Sequence, residues 1–218
     1  MKKLQVSVFL LLIFMLITAS WAAAGYDVKW SQVPDMAYGV NIESIDPRPL
    51  VADDWQCTDP RPVTDVHFWG SYIGWQEKFP EPELPTPGVD GFLIRFYSDV
   101  PAGVDQPYSH PGELLYEIRV AEFQEIYVAS IPRFDETFEH KFLYNLDLPE
   151  PFEQKEGSIY WISIAAIMPV GPEYPWGWET SSNHWNDNVV IGDGLDWKDI
   201  GALPHPVINF EDLVAGTE

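Results

Sequence analysis

Three groups of residues carry side chains whose type and spacing suit chemistry. The first is aromatic. Tyr174-Pro175-Trp176-Gly177-Trp178 is followed closely by His184-Trp185-Asn186-Asp187. Tryptophans beside Asn, Asp and His suit a sugar platform, because an indole stacks on the apolar face of a ring while polar neighbours take its hydroxyls. Trp176, Trp178, His184 and Trp185 are therefore the candidate ligand-binding residues. Trp176 and Trp178 are two apart, so a strand would put both on one side. The competing reading makes them core residues of a folded sheet.

The second group is acidic. Asp53-Asp54 precedes Trp55, and Asp187 lies in Asn186-Asp187-Asn188. Paired carboxylates near loop carbonyls suit Ca²⁺, a hard cation that takes oxygen ligands. Asp53, Asp54 and Asp187 are the candidates for structural calcium. Turn capping through backbone N–H groups is the alternative, and the spacing does not match an EF-hand loop.

The third group is the general supply of carboxylates. Glu113, Glu117, Glu122 and Glu125 lie close in sequence, and two carboxyls about 5–9 Å apart can hydrolyse a glycosidic bond. Nothing in the spacing singles out one pair. HExxH, GxSxG, GxxxxGK[ST] and helix-opening GxGxxG patterns do not occur. His67, His110, His140, His184 and His205 stand at no short metal-ligand spacing. Cys57, the single cysteine, has acidic neighbours, which do not favour a reactive thiolate. These absences favour a non-enzymatic extracellular binding or structural module, with a glycan-binding lectin-like module and a jelly-roll glycoside hydrolase or lyase as the alternatives; no catalytic residue is assigned and no cofactor beyond structural calcium.

The elements that must hold these groups are short strands. The chain has 218 residues, 20 of them proline and 15 glycine, with aromatics at 15%. Thr64–Tyr72 places Val66, Phe68 and Gly70 on one face, and Phe92–Tyr97 places Phe92, Ile94 and Phe96 inward with Arg95 outward. Leu114–Val120 follows a Pro111-Gly112 turn, and Ile126–Ile131 comes next. His140–Leu146 alternates Phe142 and Tyr144 against Lys141 and Leu143. Ile159–Ile167 is apolar on both faces, the pattern of a central strand covered on each side. Val189–Ile191 and Val207–Leu213 complete seven to nine strands. The pattern predicts an all-β fold, a single sandwich of jelly-roll type with long proline-rich loops. The loop Phe79–Gly88 is expected to be extended and solvent-exposed.

The first segment reads as an address. Lys2 and Lys3 precede an apolar run, Leu4–Ile17, and small residues follow to Ala24. That is the layout of a secretory signal peptide, and the run is shorter than the ~20 residues that span a bilayer. The expectation is cleavage near Ala24, a single domain over 25–218, a secreted product and no stable membrane insertion. Removing residues 1–24 leaves ten basic residues against 34 acidic, a formal charge of −24 in place of −22. Such a surface repels a phosphate backbone, so nucleic acid is excluded as the default partner. An extracellular glycan or another cell-surface component is the partner class that remains.

Several stretches together resemble a family of secreted bacterial β-sandwich domains of unknown function. They are KWSQVPD (29–35), ADDWQCTDPRPVTDVHFWGSY (52–72), GFLIRFYSDVPAGVD (91–105), YSHPGELLYE (108–117), IYWISIAAI (159–167), WGWETSSNHWND (176–187) and the closing VINFEDLVAG. The resemblance implies an exported sandwich without assigned catalytic residues. Similar proteins often carry a C-terminal sorting anchor, and the expectation for this chain is a product without one.

Overall fold

The computed structural model describes residues 28–36, 39–181, 185–202 and 215–217. The candidate signal segment, His184 and Val207–Leu213 lie outside them.

Two antiparallel sheets face each other. The first contains β1 (Trp30–Ser31), β2 (Asn41–Glu43), β4 (Val63–Tyr72), β5 (Gln76–Glu77), β8 (Gln124–Pro132), β9 (Phe138–Phe152), β11 (Trp176–Glu179) and β14 (Ala215–Thr217). The second runs β13 (Trp197–Asp199), β12 (Val190–Gly192), β3 (Leu50–Gln56), β10 (Ile159–Ile167), β6 (Gly91–Val100), β7 (His110–Val120). The chain crosses repeatedly between them, from β3 to β4, β5 to β6, β7 to β8 and β9 to β10. The all-β sandwich is therefore present, with β6–β7 and β8–β9 as sequential antiparallel pairs within the sheets.

The alternation read from the sequence defines the core. Val66, Phe68 and Tyr72 of β4 meet Phe92, Ile94 and Phe96 of β6, and all six are fully buried. Phe68 stands edge-on to Phe92 at 4.8 Å, an aromatic arrangement worth about 0.5–1.5 kcal/mol beyond area burial. Strand β10 is central, flanked by β3 and β6. Its inner residues Ile162 and Ile164 join the main core. Its outer residues Trp161 and Ala165 join a second cluster with Leu93, Tyr97, Val190 and Trp197. Apolarity on both faces thus has its physical reason, since loops and β12–β13 cover the outer side.

Two expectations change. Pro111 and Gly112 do not form a turn before β7; they lie inside it, opposite a register shift in β6 at Tyr97/Asp99. The Ser98 Oγ accepts the Glu113 N–H there, and a Cβ on Gly112 would stand 2.8 Å from that oxygen. The Pro-rich loop after β5 is largely exposed but fastened underneath. Glu83 and Leu84 N–H groups donate to Glu77, Thr86 donates to Glu125, and Tyr127 donates to the Pro80 carbonyl.

Candidate functional site

The aromatic candidates separate. Strand β11 pairs with β4 on one side and β2 on the other, so its inner side chains lie between the sheets. Trp176 and Trp178 have no exposed surface. Trp176 fits because Gly70 of β4, the register partner of Trp178, has no side chain; a Cβ there would come within 2.6 Å of the Trp176 indole. The expected platform at Trp176 and Trp178 is thus corrected: core packing takes both rings, as amphipathic pairing of a two-sided strand demands. Trp185 is half-buried, edge-on to Trp30 at 5.2 Å. His184 lies outside the described residues.

The acidic candidates also divide. Neighbours on a strand point to opposite faces. Asp53 points between the sheets with Val51 and Trp55, while Asp54 points outward with Ala52. Both are buried. Asp54 and Asp187 do converge, because the Asn186 Nδ2 donates to Asp54 Oδ2 at 2.6 Å and to Asp187 Oδ2 at 3.0 Å. Asp99 lies nearby, accepting from Trp161 Nε1, and burial, with Asp187 adding to it, holds its carboxyl above the usual range. Asp53 is not part of this group. Among the described residues, no set of three or more His, Cys, Asp or Glu side chains is arranged to hold a metal ion. Cys57 is buried, its Sγ donating to the Asp59 carbonyl, and burial pushes its thiol up.

The open site lies on the outer face of the first sheet. Register places Asp65 of β4 opposite Asp147 of β9, and His67 opposite Asn145, which in turn faces Gln124 of β8. These residues and Glu122 line an open groove of about 610 Å³. A row of hydrogen bonds crosses three strands. His67 Nε2 meets Asp65 Oδ2 at 2.9 Å, its Nδ1 meets Asn145 Oδ1 at 2.5 Å, and Asn145 Nδ2 donates to Gln124 Oε1 at 3.3 Å. Phe123, half-buried against Phe92 at 5.1 Å, closes one end.

A second polar cluster lies farther along the same face, and it is sealed. Lys141 of β9 is 2% exposed. Its ammonium donates to Glu139 Oε1 at 2.6 Å and Glu179 Oε2 at 2.5 Å. Glu139 Oε1 also accepts from Asn41 Nδ2 at 2.5 Å and Ser71 Oγ at 3.1 Å, while Arg133 pairs with Glu139 Oε2. Gly39 lies against Glu179, where an added Cβ would stand 2.5 Å from Oε1. Burial lowers Lys141 and raises Glu179, each opposed by the partner's charge.

Two further networks are internal fasteners. His140, fully buried, places Nε2 at 2.9 Å from Glu77 Oε2 and Nδ1 at 2.6 Å from Ser130 Oγ. Glu125 accepts from the buried phenols Tyr72 and Tyr144, which burial and that carboxylate hold above their ordinary range. Glu113 and Glu117 lie on β7, in the other sheet, so the four glutamates considered from the sequence form no single site.

Reading the sequence alone missed the groove's His67, Asn145 and Gln124 and the whole Lys141 cluster. The available signal was period two: Asp65 and His67 share a face, as do Glu139, Lys141, Asn145 and Asp147. Which such faces come together depends on strand pairing that no local pattern encodes.

A family model described as a domain of unknown function, DUF7901, matches residues 28–213. No curated protein and no solved structure matches the chain. The chain belongs to the DUF7901 family.

Proposed function

We propose, for this member of the DUF7901 family, that it is an exported, non-catalytic β-sandwich module that binds a hydroxyl-rich ligand in the groove on its first sheet. The observation that carries this reading is the row His67–Asn145–Gln124, hydrogen-bonded across three strands and open to solvent. Side chains that both donate and accept, held rigidly on strands, match a saccharide's hydroxyls. Asp65, Glu122 and Asp147 line the same groove, whose lining among the described residues has no Lys or Arg. The site therefore favours neutral or amino-bearing saccharides over acidic ones. Export is supported by the Lys2-Lys3 start and the apolar Leu4–Ile17 run. The non-catalytic part of the reading is supported by the sequence, in which HExxH, GxSxG and GxxxxGK[ST] patterns do not occur.

The test is binding of the 25–218 protein to neutral, amino-bearing and acidic oligosaccharides by glycan array and calorimetry. Neutral or amino sugars are expected to bind and uronic-acid sugars not. Asn145→Ala and His67→Ala each weaken binding severalfold to tenfold, the scale of one lost hydrogen bond, without lowering the thermal midpoint. Binding that survives both substitutions, or turnover of the sugar, overturns the reading.

A further inference from the structure

The sealed cluster contains a feature that simple charge pairing leaves unexplained. One carboxylate oxygen, Glu139 Oε1, accepts from both Lys141 Nζ and Asn41 Nδ2. Those two nitrogens are therefore at most about 5 Å apart, with an amine beside an amide. Two oxygens in the cluster are buried without a partner, Asn41 Oδ1 and Glu179 Oε1. The residues that carry them are register partners on β2 and β11. Buried polar atoms are rarely left so. Gly177, also on β11, makes room: a Cβ there would stand 2.7 Å from the Asn41 Cβ.

We propose that Lys141 and Asn41 join through their side chains in an intramolecular amide bond linking β9 to β2. The proposal does not depend on ligand binding in the groove. The Lys141 amine attacks Asn41 Cγ. The Nζ–Cγ bond forms and the Cγ–Nδ2 bond breaks. Glu139 Oε1, hydrogen-bonded to both nitrogens, takes the proton from Nζ and passes it to Nδ2, which leaves as ammonia. Glu179, when protonated at Oε1, donates to Asn41 Oδ1, where negative charge develops. No oxidant, reductant or co-reactant is consumed. Burial supports the protonation states needed, since it favours a neutral Lys141 amine and a protonated Glu179. The product ties strand β2, which among the described residues pairs with β11 alone, to the long β9. It closes a loop of roughly 100 residues, the type of cross-link that constrains an unfolded chain most.

Intact-mass measurement of the purified 25–218 protein decides the matter. The expected mass is below the sequence value by one ammonia, about 17 Da, and digestion yields one branched peptide containing Asn41 and Lys141. Asn41→Ala and Lys141→Arg each return the full sequence mass. Asn41→Ala also lowers the thermal midpoint by on the order of 10 °C. An unmodified wild-type mass overturns the proposal, whatever the variants do. So does a loss of water, about 18 Da, mapped to Lys141 and Glu179, or a loss of ammonia that persists in Asn41→Ala.

Discussion

The outer face of β4 and β9 carries two polar sites, and they behave as opposites. At one end Asp65, His67, Asn145 and Asp147 line an open groove. At the other, Glu139, Lys141 and Ser71 are buried with Glu179. The two strands and the face are the same. Trp69 and Leu143, paired across the strands, stand between the sites. Covering makes the difference. The chain before β2 runs beside β11, with Asp35 N–H donating to the Thr180 carbonyl and Ser181 Oγ donating to the Val33 carbonyl. In water a Lys–Glu pair contributes little. Once covered, the same pair depends on its partners, because each charge left alone carries a desolvation penalty. One face of one strand pair thus carries an open polar groove at one end and a covered charged cluster at the other.

The comparison breaks most visibly at Lys141. In the Asn41→Ala chain, where the ammonium persists, adding Lys141→Ala leaves Glu179 and Glu139 buried without it, and is expected to cost about 3–5 kcal/mol more, measured by urea unfolding. A loss under about 1 kcal/mol would place Lys141 with ordinary surface lysines.

Titration offers a second way to separate the sites. The Asn41→Ala chain cannot form the proposed cross-link, so Glu179 and Lys141 remain free to ionise. Burial raises Glu179 above its usual 4.5, so the native state holds a proton that the unfolded chain releases. Stability therefore falls as pH rises from about 4.5 through the folded value, at up to about 1.4 kcal/mol per pH unit. Lys141 is lowered from 10.5. Between its folded value and 10.5 the unfolded chain binds more protons, so stability rises with pH. Adding Glu179→Gln to Asn41→Ala removes the fall on the acid side and leaves the alkaline rise. An unchanged acid limb shows that another group sets it.

At the open end the expected effects on stability are smaller. Asn145→Ala and His67→Ala lie in the solvated groove and should change unfolding free energy by about 0.5 kcal/mol or less. A loss above about 2 kcal/mol from either would mean that the row is a structural tie like the Lys141 cluster.

Much of the architecture was legible in the sequence. Phe92, Ile94 and Phe96 point inward as period two requires, and Ile159–Ile167 is the covered central strand. Turn chemistry was less informative. Pro111-Gly112 resembles a turn, yet it sits in β7, where the missing side chain of Gly112 makes room for the bulge opposite it at Ser98. Lys141 shows the sharper limit. Its alternation against Phe142 correctly places it on the outer face, but outer does not mean solvated when a distant segment lies over that face. Trp176 and Trp178 reverse the case. Their spacing correctly puts them on one side, and only the pairing of β11 between β4 and β2 determines that this side is the core. The groove required three strands in register, so none of its residues stood out alone.

The smallest effect concerns the acidic residues of the second sheet. Asp54 and Asp187 approach each other as a calcium site would need, but the Asn186 amide donates to both. A donor there opposes a cation, which requires oxygens facing inward. Asp53 faces the other side of β3 and supplies no third carboxylate. The expected result is that millimolar calcium or a chelator moves the thermal midpoint by less than about 1 °C, since only a ligand that binds the native state stabilises it. A rise of several degrees with calcium that disappears in Asp187→Asn would mean that the Asn186 side chain turns its oxygen inward when the ion binds. The second sheet would then hold a covered charge compensated by a cation, the counterpart of the Lys141 site on the first.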